Sequence, residues 1–79
     1  MLKADGFDAA VIGVGYRCGQ PPLIIYDAEK CVNILMTEQG MSFDEAQEYF
    51  SFNVEGGWHG EHTPIWFYKQ SLRDIEELH

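Results

Sequence analysis

Apolar and polar positions alternate along this chain in blocks whose periods differ. Leu23 to Tyr26 is a short apolar run with β-branched residues at its centre, which predicts a strand over 23–26. Ala28, Cys31, Ile34 and Leu35 then recur at helical spacing, widened by Val32 and Met36, while Glu29, Lys30 and Asn33 fall on the other side. The pattern predicts a helix over 27–39, opened by Asp27 and stopped by Gly40. Ser42 and Glu45 have the spacing of a reciprocal capping box, so a second helix is expected over 42–55, ended by Gly56-Gly57. Phe43, Ala46, Tyr49 and Phe50 would form its inward face, with Glu45, Gln47 and Glu48 outward. Thr63-Pro-Ile-Trp-Phe-Tyr68 reads as a strand over 64–68, with Pro64 at its start because proline cannot donate to a ladder.

Three stretches are less determinate. Residues 1–8 are polar and are expected to fray. Residues 9–14 fit either a strand, through Val11, Ile12 and Val14, or a short helix capped by Asp8. As a strand they could form a hairpin with 23–26 across the turn Tyr16–Pro22, punctuated by Gly19 and the proline pair. At the other end Leu72, Ile75 and Leu78 make a narrow stripe on a short helix over 71–78, with Ser71 as its cap. The sum is an α+β fold: two consecutive helices on a small sheet, in one domain over 1–79.

Composition supports a folded chain, with 46% hydrophobic and 14% aromatic residues in 79. A chain this short buries a limited core, and a homodimer is one way to add to it. The charge changes the picture more. The net charge is −8, and residues 31–68 hold Glu38, Asp44, Glu45, Glu48, Glu55 and Glu61 with no Lys or Arg. Such a field repels phosphate backbones and anionic membranes, so neither nucleic acid nor a membrane is an expected partner. A basic protein surface is. Asp44, Glu45, Glu48, Glu55 and Glu61 are the candidate docking charges. Trp58, preceded by glycines and followed by polar residues, is the candidate apolar anchor.

Other chemistry finds little support. His59 and His62, with Cys18 and Cys31, would complete a Cys2His2 set, but the cysteines lack the short knuckle of structural zinc sites. A metal-binding module using His59 and His62 is therefore a distant alternative. Gly56–His62 lacks the Lys and hydroxyl of a phosphate loop, and Gly13-Val-Gly15 is only a fragment of a dinucleotide fingerprint. Cys18 with His59, or Asp27 with His62, are catalytic pairs that no spacing forces together. So short a chain is expected to have little volume to wall off a pocket, and neither enzymatic activity nor a cofactor is implied. The cysteines fit reduced thiols, Cys18 exposed in a turn and Cys31 in the core; with no export signal in the first residues, a cytoplasmic location, the cytosol of a host, is expected.

Tyr26-Asp-Ala-Glu-Lys-Cys-Val-Asn-Ile-Leu-Met36, then Gly40-Met-Ser-Phe-Asp-Glu-Ala46, then Asn53-Val-Glu-Gly-Gly-Trp-His-Gly-Glu-His-Thr-Pro64, resembles a group of small bacteriophage and bacterial proteins. The resemblance covers about residues 25–66 and extends to the Asp8–Gly15 segment. The group is largely uncharacterised, so the resemblance implies a phage-borne or prophage-borne cytosolic protein and no activity. Two readings result: a binding protein that inhibits a basic host enzyme by phosphate mimicry, as anti-CRISPR proteins do, or a structural accessory protein that acts by homo-oligomerising.

Overall fold

A computed structural model describes residues 1–78 of the chain. It is α+β, with a three-stranded mixed sheet and three α-helices. The elements are β1 (Val11–Gly15), β2 (Leu23–Asp27), α1 (Ala28–Gln39), α2 (Phe43–Tyr49), β3 (Ile65–Phe67) and α3 (Leu72–Glu76). The open choice over 9–14 resolves as a strand from Val11 onward; the three-residue 3-10 turn that leads into it, Asp8–Ala10, follows Phe7 and is not capped by Asp8.

β2 is the central strand. β1 pairs with it antiparallel across the Tyr16–Pro22 turn, with a bulge between Val11 and Gly13. β3 pairs with it parallel, in the register Ile25–Ile65, Tyr26–Trp66 and Asp27–Phe67. The parallel pairing follows from the helices between the two strands, since a crossover returns the chain to the same end of the sheet. β3 is shorter than the sequence reading, 65–67 in place of 64–68: Pro64 precedes it, and Tyr68 leaves it.

Both helix starts form as the sequence dictates. Asp27 is the N-cap of α1, and its Oδ1 accepts from the Lys30 N–H at 3.2 Å. Gly40 ends α1 in the left-handed conformation, φ 67°, which a side chain would disfavour. Ser42 then caps α2: its Oγ accepts from the Glu45 N–H at 3.2 Å, and Glu45 Oε1 accepts from the Ser42 N–H at 3.0 Å. Past Tyr49 the chain continues as a π-helical segment, Phe50–Glu55, closed by the Gly56 N–H donating to Ser51 O at 3.0 Å. The expected α-helix over 42–55 is thus α-helical only as far as Tyr49. α3 is likewise shorter than 71–78, but Ser71 and Asp74 form its capping box.

The core lies between one sheet face and the helices. Tyr26 and Phe50 are its largest fully buried side chains, with Phe7, Ala10, Ala28, Cys31, Val32, Leu35 and Ala46 around them. Trp66 is half-buried and stacks at a tilt on Tyr26, 5.2 Å between ring centroids, and edge-on to Phe50 at 5.4 Å. Two expectations are corrected here. The first residues do not fray: Phe7 is buried, and the Ala4 N–H donates to the Tyr26 hydroxyl at 2.8 Å. A single aromatic among polar neighbours gave no periodic signal of this. Phe43 and Tyr49 do not face inward; both are exposed, because Ala46 and Phe50 alone hold the buried side of that helix.

Three substitutions test this packing in urea melts. Ser42→Ala should cost about 1 kcal/mol, by leaving an amide of the first turn without its acceptor. Tyr26→Phe should cost about 1–3 kcal/mol, by stranding the Ala4 N–H. Phe50→Ala should cost about 3 kcal/mol or more, through the cavity it opens. Equal, negligible effects would show α2 and the N-terminal segment to be placed wrongly.

Candidate protein-docking surface

On a helix, residues four apart share a side and residues two apart take opposite sides. Ala46 and Phe50 are buried against the core. Asp44, Glu48 and Phe52, each offset from them by two, are exposed on the solvent side. This places two carboxylates in line with a phenylalanine that is 77% exposed, at the point where the α-helix becomes a π-helix. Phe52 is the docking candidate that the sequence reading missed. Its signal was present in the four-residue spacing from Glu48, but an aromatic there reads as core unless the buried face is already known to be complete.

The remaining candidate charges divide. Glu45 is committed to the cap, and the Ser42 N–H holds its carboxyl below the usual carboxylate range. Glu55 accepts from the Tyr68 hydroxyl, so it braces the chain after β3 against the end of the π-helical segment. Glu61 is exposed in the loop before β3, with Trp58 at 75% exposure. That loop is built around Thr63, which is buried: its Oγ1 accepts from the His59 N–H at 2.7 Å, and its hydroxyl donates to Gly60 O at 2.7 Å. With Thr63 turned inward, Trp58 projects outward. The structure therefore joins Asp44 and Glu48 on one ridge, ties Glu45 and Glu55 into local structure, and puts Trp58 and Glu61 on a separate segment.

The other candidates find different roles. Asp27 is spent on the α1 cap. Among the described residues no group of three or more His, Cys, Asp or Glu is arranged to hold a metal ion. Cys18 is exposed and Cys31 buried, and both are free thiols. No helix among the described residues is long and apolar enough to cross a membrane. An open groove of about 1030 Å³ runs between the N-terminal segment and the helices, lined by Phe7, Leu35, Met41, Val54 and Trp66 with Glu38 at its side.

Two groups here titrate abnormally. Burial, with Asp27 nearby, pushes the Cys31 thiol up to about 11. Burial and the bond to Glu55 push the Tyr68 hydroxyl up to about 12. Comparison of the chain with family models, with curated proteins and with solved structures returned no match.

Both raised groups favour the protonated folded state, so their contribution is complete at neutral pH and is lost as pH rises. The melting midpoint should fall from about pH 9 upward, as Cys31 and then Tyr68 ionise in the unfolded chain. Tyr68→Phe should flatten the upper part of that fall. At neutral pH a thiol reagent should modify Cys18 quickly and Cys31 only after unfolding; rapid reaction of both would contradict the buried position of Cys31.

Proposed function

We propose that this chain is a small acidic binding protein of phage type, without enzymatic activity, that docks on a basic surface of a host protein. The observation that carries the reading is the exposed ridge of Asp44, Glu48 and Phe52, on the side of the helix opposite Ala46 and Phe50. Carboxylates there would speed encounter with a Lys/Arg-lined groove, and Phe52, with Trp58 on the neighbouring loop, would slow release once desolvated. A host enzyme that handles nucleic acid, including a defence nuclease, offers such a groove, and carboxylates can occupy the places of its phosphates. The resemblance to small phage and bacterial proteins supports this source of partner. The second reading, an accessory protein acting by self-assembly, draws on the apolar outer face of the sheet.

The test uses Asp44→Lys, Glu48→Lys and Glu61→Lys together, leaving Glu45 and Glu55 in place because both support the fold. The triple variant should melt as the wild type does, since exposed charges contribute little to stability. Pull-downs from a bacterial host lysate should recover a basic protein with the wild type, released by added salt and by duplex DNA, with at least ~10-fold less recovered by the variant. Equal recovery by both proteins, or recovery indifferent to DNA, would reduce the acidic ridge to a solubility feature.

A further inference from the structure

The sheet has a second face with nothing over it. Strand alternation puts Ile25 of β2 and Ile65 and Phe67 of β3 on the side away from Tyr26 and Trp66. None of the three packs against the core. On β1, Gly13 pairs with Ile25 and Gly15 with Leu23, so two glycines oppose these side chains, and the exposed Ile12 sits at the bulge between Val11 and Gly13. A Cβ on Gly15 would lie 3.0 Å from Ile25 Cδ1 and 3.5 Å from Ile65 Cδ1, whereas one on Gly13 would meet nothing within 4 Å. The isoleucines lean over Gly15, and the space above Gly13 is open.

α3 is the complementary anomaly. It has its capping box and an Arg73–Glu77 ion pair at 3.6 Å, yet it buries none of its residues. Leu72, Ile75 and Leu78 are 71%, 45% and 66% exposed. Helices this short do not persist alone in water, and a cap adds only about 1 kcal/mol. A bare apolar sheet face and a bare apolar helix stripe are the two halves of one helix-on-sheet layer.

We propose that two copies of this chain associate about a twofold axis, with α3 of each lying across the outer sheet face of the other. Bare sheet face and bare stripe occur once each per chain, so a twofold axis covers both and leaves neither over. The alternative route to self-association, pairing of sheet edges, is blunted on both sides. β1 carries the bulge, and β3 is three residues long and follows Pro64, which has no N–H to offer. The size also fits. A stable interface takes about 800 Å² from each partner, roughly one seventh of this chain's 5969 Å² surface. Each copy offers exposed apolar groups from both surfaces toward that area: Ile65 and Phe67 are 42% and 39% exposed on the sheet, and Leu72, Ile75 and Leu78 are exposed on the helix stripe. The association is independent of the acidic ridge and responds to salt with the opposite sign. Two copies at −8 each repel, and salt screens the repulsion.

Sedimentation equilibrium of the full chain, from low-micromolar to several hundred micromolar, tests the proposal. The wild type should form a dimer that tightens as salt is added. Ile75→Glu and Phe67→Glu should each weaken it by at least ~10-fold, since each places a charge in an apolar contact. Ile75→Glu decides alone if Phe67→Glu perturbs the sheet, because α3 buries nothing on which the folded monomer depends. A wild type that stays monomeric throughout the range, or a dimer that survives Ile75→Glu unweakened, overturns the proposal.

Discussion

The fold turns on the buried hydroxyl of Tyr26. The ring is wholly inside, on the central strand, where its area stabilises the core most. A phenol there needs a partner, and the Ala4 N–H supplies one. That single bond fixes the path of the N-terminal segment, which brings Phe7 into the core and leads into β1 at the sheet edge. On its other side Tyr26 carries Trp66, and Trp66 carries Phe50. The strand pair, the π-helical segment and the first residues are therefore held by one chain of ring contacts with a polar anchor at its end.

The sequence disclosed the parts of the fold that rest on local chemistry. Asp27, Gly40, Ser42 with Glu45, and Ser71 each mark a boundary through a bond made within a few residues, and each boundary stands where it reads. What the sequence could not disclose depends on partners far along the chain. Ala4 and Phe7 are ordered by Tyr26, and nothing in residues 1–8 announces that. Phe43 and Tyr49 looked inward because their type and spacing suit a core, but Ala46 and Phe50 already fill the buried side. The docking candidates divide the same way. That Asp44 and Glu48 share a ridge was legible from a four-residue spacing. That Glu55 is held by Tyr68 was not, because the two meet only after the chain has crossed back to the sheet.

The surface shows a separation of chemistry by face. The helical side carries Asp44, Glu48 and the aromatic Phe52, while the outer sheet side carries aliphatic and aromatic groups over two glycines. The acidic ridge with its phenylalanine and the bare sheet face lie on different layers, so the two surfaces share no residue. The layer between them is thin, one sheet and one set of helices, so both surfaces rest on the same few buried rings.

The parallel pairing of β2 with β3 has a consequence for the order in which the molecule assembles. Residues 28–64 separate the two strands, so their ladder cannot begin as a local hairpin and carries the entropy of closing that whole length. The β1–β2 hairpin and the helices α1 and α2 rest on near neighbours and can form early. β3 must wait until the helices have shortened the distance it has to span, and only then can Trp66 reach Tyr26. The third of these strands to leave the ribosome is also the last of the three to find its place. Until it does, the middle ring that links Tyr26 to Phe50 is missing, and the nascent protein is a hairpin with helices attached to it.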